Sequence, residues 1–90
     1  MDVQIINNHD RQRFEAKVSG SLVHLDYVLG DGALRLVHTE VPAALEGRGL
    51  GSKIVRFALD FAKVQGLQVI PQCPFVKSFI DRHPDYEDLL

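Results

Sequence analysis

The sequence predicts an α+β fold with one mixed sheet: an antiparallel meander, then a β-α-β unit whose last two strands are parallel, and a short C-terminal helix. Up to residue 41, apolar and polar residues alternate in runs that are separated by glycine-containing turns, which is typical of antiparallel strands. From residue 50 the apolar residues recur every three or four positions, which indicates an amphipathic helix, and a further short apolar run follows it.

The meander is expected to contain four strands. Val3, Ile5 and Ile6 indicate a short first strand, and clear alternation over residues 14–18 and 23–29 indicates the next two. Asp and Gly tolerate positive φ, so two small-residue segments are predicted to be the tight turns: Ser19-Gly20-Ser21 and Gly30-Asp31-Gly32.

The fourth run, residues 33–41, leads into the segment that carries the functional prediction. Pro42 ends it, because proline has no N–H to donate to a neighbouring strand. Regular alternation would place four of its residues on one face: Leu34, Leu36, His38 and Glu40.

A helix is predicted from Ser52 to Gln65, with Gly66 as its left-handed cap. The next strand, 67–72, completes the β-α-β unit with a right-handed crossover, so it should lie parallel to strand 33–41. A second helix is predicted from about Pro74 to His83, because proline is favourable in a first turn. The tail, 84–90, is acidic and short.

The segment Glu46-Gly47-Arg48-Gly49-Leu50-Gly51 joins strand and helix. Its three glycines let the backbone approach a ligand closely. The first amides of the helix and its dipole would point back into this loop, an arrangement that binds phosphate or pyrophosphate. The spacing differs from the G-x-G-x-x-G fingerprint and from the G-x-x-x-x-G-K-S/T loop, so both common nucleotide motifs are excluded.

Composition narrows the class of protein. The 90 residues are enough for one domain, 1–90, and the net charge of −2 without a Lys/Arg block argues against nucleic acid as a partner. No apolar run approaches the roughly 20 residues that span a bilayer, and no signal pattern is present, so no membrane partner is expected. A single cysteine fits a reducing compartment, and we expect a cytoplasmic protein.

Residues 46–51 resemble the pyrophosphate-binding motif of the GNAT superfamily of acetyl-CoA-dependent N-acetyltransferases, which runs Gln/Arg-x-x-Gly-x-Gly/Ala. Gly49 and Gly51 match the two small positions. Glu46 departs from Gln or Arg, so the family role of that side chain is not carried over. The resemblance extends from about Phe14 to the end, to a small, minimal branch, through three flanking segments: His38-Thr39-Glu40-Val41-Pro42, Pro71-Gln72-Cys73-Pro74-Phe75-Val76 and Arg82-His83-Pro84.

The resemblance implies that acetyl-CoA enters a gap where strands 33–41 and 67–73 splay apart. Arg48 would add charge near the phosphates, whereas Lys53 is expected to be a solvated helix-end side chain. The backbone of Thr39, Glu40 and Val41 would pair with the pantetheine amides. The pyrophosphate would be held by the glycine loop and the start of the helix: Gly47, Arg48, Gly49, Leu50, Gly51 and Ser52.

Cys73 is a catalytic candidate. A lone cysteine is commonly a small buried hydrophobe, but this one lies where a strand ends and a helix begins, and a helix N-terminus lowers a thiol pKa. In the family's geometry this place is near the acetyl thioester. Cys73 would then either accept the acetyl group or help to position the thioester.

His38 and Glu40 are candidate bases for deprotonating an amine, because they share a strand face beside the expected cofactor. If that face packs on a helix, both are structural. His9 and His24 are expected to be solvated, and His83 to end the last helix, where a cation suits the dipole. No spacing of His, Cys and carboxylates suggests a metal site.

Two function classes remain open. One is an acetyltransferase that moves acetyl from acetyl-CoA to a primary amine, directly or through Cys73. The other is a non-catalytic CoA or acyl-CoA binding or interaction module. The short chain lacks the later strands that usually build an acceptor pocket, which favours this second class or a broad, open acceptor site such as a protein surface. A purely structural domain would leave the glycine loop unexplained. The acceptor, a small molecule or a protein amine, and the oligomeric state stay open.

Overall fold

The computed structural model describes residues 3–90 and contains one five-stranded sheet with two helices. The strands lie in the order of the sequence: β1 (Ile6–Asn8), β2 (Arg13–Val18), β3 (Ser21–Gly30), β4 (Ala33–Glu40) and β5 (Gln68–Pro71). The helices are α1 (Leu50–Gln65) and α2 (Pro74–Arg82). Strands β1 to β4 pair antiparallel and β4 pairs parallel with β5, which confirms the predicted α+β class.

The two predicted hairpin turns are present. Ser19 and Gly20 have φ values of 52° and 79°, and Asp31 and Gly32 have φ values of 53° and 74°. Two consecutive residues with positive φ match the right-handed twist of the flanking strands, so each turn brings its strands directly into register.

The first strand lies further along the chain than predicted. Val3 and Ile5 pack against the core outside any strand, whereas β1 contains Ile6 and two asparagines. Its backbone pairs with β2 from Ile6–Glu15 to Asn8–Arg13. The apolar residues Val3 and Ile5 therefore indicate contact with the core, whereas the position of the strand is determined by backbone pairing with β2.

Helix α1 begins at Leu50, two residues before the predicted start, and ends as predicted. Gly66 has φ 68°, and its amide donates to the carbonyl of Lys63 at 3.3 Å. The next amide, of Leu67, donates to the carbonyl of Ala62 at 2.9 Å. This pair of bonds satisfies carbonyl groups at the helix end and turns the chain into β5.

The core lies between one face of the sheet and the two helices. Phe14, Leu25 and Leu36 of the sheet pack in one cluster with side chains such as Ile54 of α1 and Phe79 of α2. The opposite face carries the residues that alternate with the core positions, and they are partly or fully exposed. We call it the open face; it includes five polar residues that matter below: Glu15, His24, Asp26, His38 and Glu40.

A β-bulge in β4 reverses its alternation. Asp26 pairs with His38 while the next residue, Tyr27, pairs with Leu36, so Val37 is an extra residue in β4. Thr39 therefore pairs with the buried Leu25 and lies on the core face. His38 and Glu40 lie on the open face, and the prediction that they share a face with Leu34 and Leu36 was wrong.

Strand β5 is shorter than the predicted 67–72, and it separates from β4 beyond Leu36. The last parallel pair is Leu36–Pro71, and the Cys73 amide then donates to the Leu36 carbonyl at 2.9 Å. Within residues 3–90, no strand pairs with this edge of β4 from Val37 to Glu40. The strands diverge where the splayed gap was expected.

The acidic tail packs back onto the two helices. Pro84–Leu89 forms a 3-10 helix, and its Tyr86 is buried against α1 and α2. The Tyr86 hydroxyl donates to Asp60 Oδ1 at 2.8 Å and accepts from Arg56 Nη1 at 3.1 Å. In the part of the chain that the structure describes, no helix combines the length and apolarity needed to cross a bilayer.

Candidate functional site

A cleft of about 450 Å³ lies at the end of β4, where the strand, the glycine loop and the first turn of α2 meet. Of the residues predicted to bind the cofactor, only Arg48 does not line it; Arg48 is exposed on the loop. The cleft is formed by the segment 39–52 together with Phe75 of α2. Its lining residues are Thr39, Glu40, Val41, Leu45, Glu46, Gly47, Gly49, Leu50, Gly51, Ser52 and Phe75.

The glycine loop presents free amides to this cleft. Gly47 and Gly49 have φ values of 83° and 72°, which residues with a side chain rarely adopt. Lys53 is the first residue whose amide bonds back, to the Gly49 carbonyl at 3.1 Å. The amides of Leu50–Ser52 precede it and have no intrahelical acceptor, and the cap residue Gly49 has no side chain to satisfy them. This is an anion-binding arrangement.

The third glycine has a different role. Gly51 lies in the first turn of α1, and a Cβ there would meet the Cζ of Phe75 at 2.9 Å and Cγ2 of Val41 at 3.5 Å. Its missing side chain thus allows the Phe75 ring to close one wall of the cleft. The sequence pattern predicts only that Phe75 lies on the apolar face of a helix, and nothing in it indicates a wall of the cleft.

Cys73 lies beside the cleft rather than in its lining. It is the residue before α2, is only 4% exposed, and its Sγ is 3.4 Å from Oγ1 of Thr39. Burial acts to raise the pKa of the Cys73 thiol, but the Thr39 hydroxyl and the backbone amides of Phe75, Val76 and Thr39 stabilise the thiolate, and the net pKa is lowered.

The base candidates His38 and Glu40 are exposed on the open face, and no helix of residues 3–90 covers them. Glu40 also lines the cleft, so it lies where the cleft meets the open face. Beside them, His24 Nδ1 lies 2.8 Å from Asp26 Oδ1, and the rings of His24 and His38 have centroids 6.3 Å apart. Among residues 3–90, no group of three or more His, Cys or carboxylate side chains could hold a metal ion.

From the sequence, His24 is expected only to be solvated, and Asp26 is a second polar residue on the same strand. The His-x-Asp spacing was an available signal, because residues two apart on a strand share a face. His9 is exposed, as expected. His83 follows α2, its Nδ1 donates to the Phe79 carbonyl at 2.7 Å, and its ring stacks on Phe79, so its role is at the helix end.

The chain is similar to known proteins over most of its length. The family model described as GCN5-related N-acetyl-transferase matches residues 13–89. Protein NATD1 of Mus musculus is 33% identical over 82 residues, which cover 84% of this chain and 74% of that protein. Protein NATD1 of Danio rerio is 32% identical over 85 residues, which cover 87% of this chain and 77% of that protein.

The fold also matches a solved structure. The NMR solution structure of a GCN5-like protein from Staphylococcus aureus has a TM-score of 0.75 to this chain at 24% sequence identity. The match covers 96% of this chain and 85% of that chain. The shared architecture thus includes the meander, the β-α-β unit and the C-terminal helix.

Proposed function

This chain belongs to the GCN5-related N-acetyltransferase family, and from that premise we propose that it binds acetyl-CoA in the cleft and transfers the acetyl group to a primary amine. One observation carries the proposal: the cleft joins an unpaired strand edge to a helix N-terminus with free amides. An elongated ligand with amides at one end and phosphates at the other fits these two features.

The strand edge and the glycine loop would bind different parts of the ligand. The backbone of Thr39, Glu40 and Val41 is available to the pantetheine amides, because β5 has already separated from β4 there. The amides of Gly47 to Ser52 face the pyrophosphate, and Arg48 adds positive charge from the exposed side of the loop. The ring of Phe75, which packs closely against Gly51, forms an apolar wall of the cleft between the strand edge and the glycine loop.

When bound, acetyl-CoA supplies a thioester carbonyl that is activated toward amines. The lowered pKa of Cys73 supports a covalent route, in which Sγ attacks the carbonyl carbon, the bond to CoA sulfur breaks, and an amine later displaces Sγ. In the direct route the amine attacks the thioester itself, His38 or Glu40 takes its proton, and Cys73 positions the thioester or is simply part of the core.

Calorimetric titration with acetyl-CoA and with CoA tests the cofactor. Gly49→Ala should weaken binding, because φ of 72° is strained for alanine and the loop would change shape. Gly66→Ala is the matched control: it places the same strain, at φ 68° and with equal space, at the other end of the same helix. Failure of the unmodified protein to bind either ligand would contradict the proposal.

Mass spectrometry after incubation with acetyl-CoA tests the covalent route, in which one acetyl group appears on Cys73. Turnover is then measured as free thiol released with spermidine, lysine methyl ester and a peptide with a free N-terminus. Loss of turnover in both Cys73→Ala and Cys73→Ser supports the covalent route. Unchanged turnover in both removes Cys73 from the mechanism.

A non-catalytic CoA or acyl-CoA binding module is the second candidate. The uncovered open face favours it, because the described residues build no enclosed acceptor pocket there. Tight binding of acetyl-CoA with no thiol release above background for any of the three amines would decide for this candidate.

The proposal also covers the domain, the compartment and the partners of this activity. We infer that residues 1–90 act as one domain in the cytoplasm, where the free Cys73 thiol stays reduced. The partners are then acetyl-CoA and an amine, with no nucleic acid or membrane involved.

A further inference from the structure

We propose that His24, held by Asp26, is the base that takes the proton from the acceptor amine, which approaches the cleft from the open face. This inference rests on the proposed function and deepens it. It assigns a catalytic role to His24 and a positioning role to Asp26, both on β3, a strand that does not line the cleft.

The direction of approach follows from what covers the unpaired edge of β4. On the core face this edge is closed by Leu45, Leu50 and Phe75, which line the cleft from the helical side. On the open face no helix lies over it in the described part of the chain. An acceptor must therefore enter across the open face, and Glu40 is the residue that belongs to both the cleft and that face.

His24 lies directly next to Glu40, because the two residues are paired across β3 and β4. The distance between His24 Nδ1 and Asp26 Oδ1 is 2.8 Å. An ionised carboxylate can only accept, so Nδ1 carries the proton and donates it to Asp26. In the neutral ring, Nε2 then holds the free lone pair, which is the arrangement of an oriented general base.

The other candidates on this face are less well oriented. The His38 ring makes no hydrogen bond within residues 3–90, and its only neighbouring ring is that of His24. The Glu15 carboxylate is already used, since it accepts from Asn8 Nδ2 at 2.9 Å and from Arg13 Nε at 2.6 Å. Of the two histidines that the structure describes on the open face, His24 is the one that combines a fixed tautomer with a position next to the cleft.

The charges around His24 suit a cationic acceptor. From the three strands it is faced by Arg13, Glu15 and Lys17 on β2, Asp26 on β3, and His38 and Glu40 on β4. Arg13 is paired with Glu15, and Asp26 with His24, so among these carboxylates Glu40, which also lines the cleft, is the one left to attract an ammonium group. The acceptor class is therefore a primary amine that arrives protonated.

The proton balance is simple. The ammonium R–NH₃⁺ gives one proton to Nε2 of His24, and the freed nitrogen lone pair attacks the carbonyl carbon of the thioester. The new C–N bond forms as the C–S bond breaks, and the leaving thiolate takes the second proton from nitrogen. The imidazolium, stabilised by Asp26, returns its proton to solvent.

The decisive kinetic experiment compares His24→Gln and Asp26→Asn with the unmodified protein, using the best of the three amines named above. His24→Gln should lower kcat by about 10²–10⁴-fold, the usual contribution of a general base. Asp26→Asn should lower kcat less, and the acid limb of kcat against pH should disappear in His24→Gln. Acetyl-CoA affinity should be unchanged in both variants, and the control His9→Gln should match the unmodified protein.

A second readout does not depend on activity. Long-range ¹H–¹⁵N NMR of the free protein should show His24 protonated on Nδ1, and Asp26→Asn should weaken that preference. A proton on Nε2 instead, or unchanged kcat in His24→Gln, would overturn the inference while the proposed function stands; loss of kcat in His38→Gln alone would do the same. Failure of the unmodified protein to bind acetyl-CoA would overturn both.

Discussion

At the scale of single residues, Thr39 shows how much one side chain depends on the bulge. Because Val37 is inserted, the Thr39 hydroxyl points to the core face and reaches 3.4 Å from Cys73 Sγ. Regular alternation would have put it on the open face. Buried thiols are ordinarily inert, and the hydroxyl together with the α2 amides gives this thiol the opposite tendency.

This contact predicts the pH dependence of Cys73 alkylation. A lowered pKa means that the thiolate persists to lower pH than for an ordinary cysteine, and the rate with iodoacetamide should rise at correspondingly lower pH. Thr39→Val removes a stabilising donor and should shift the midpoint upward, whereas Thr39→Ser keeps the hydroxyl and should not. Identical midpoints in Thr39→Val and the unmodified protein would refute this role of Thr39.

At Gly47 and Gly49 the structure shows the positive φ and the following helix that alternate glycines suggest, and their binding of pyrophosphate stays a prediction. The face of His38 and Glu40 was not predictable, since polar residues do not reveal on which side of a bulge they lie. Phe75 was missed for another reason: its contact with Gly51 joins two segments that only the folded chain brings together.

At the scale of elements, the start of α1 and the start of α2 are coupled through Gly51 and Phe75. The Phe75 ring is 39% exposed, so it can swing away from a Cβ placed 2.9 Å from it. Gly51→Ala should therefore leave the free energy of unfolding within about 1 kcal/mol, because the better helix propensity of alanine offsets the contact.

The same change should weaken acetyl-CoA binding, because the displaced ring leaves the cleft wall. A double-mutant cycle with Phe75→Leu measures the coupling by calorimetry. Once the ring is gone, adding Gly51→Ala should have little further effect on affinity. Fully additive losses of affinity would show that the two residues act independently.

The C-terminal 3-10 helix is attached to α1 by Tyr86. Burial raises the pKa of Tyr86, and the hydrogen bond to Asp60 raises it further, so the hydroxyl stays protonated and donates. Tyr86→Phe keeps the ring but loses both bonds, and we expect a loss of roughly 1–2 kcal/mol in the free energy of unfolding by urea. In an Asp60→Asn background the loss should be smaller; an undiminished loss would assign the effect to Arg56 alone.

The helices and strands of this fold differ in how well the sequence predicts them. Strands β2 and β3 and helix α1 follow from hydrophobic period, because each buries one face against a single layer. The 3-10 helix at 84–89 has no such period, and it is ordered by the burial of one side chain, Tyr86. Similarly, β1 is defined by backbone pairing with β2, and the pattern of side chains does not predict where that pairing begins.

At the scale of the whole molecule, ligand binding should be visible as stability. A ligand at 100 times its Kd adds about 2.7 kcal/mol to the free energy of unfolding. For a chain of 90 residues this corresponds to a rise in Tm of roughly 10–20 °C. Acetyl-CoA should raise Tm of the unmodified protein and of Gly66→Ala by this amount, and of Gly49→Ala by clearly less; equal shifts in both variants would contradict the loop assignment.

The bare side of the sheet has a consequence for how such a protein can change over generations. Surface substitutions away from packed features usually alter stability by less than 0.5 kcal/mol, and the residues across which the acceptor would pass lie outside the core cluster. Substitutions on this face can therefore change the preference for one amine over another with little effect on the stability of the fold. The cofactor cleft, built from backbone amides and close packing, has no such freedom, so relatives should keep the donor and diversify in what they modify.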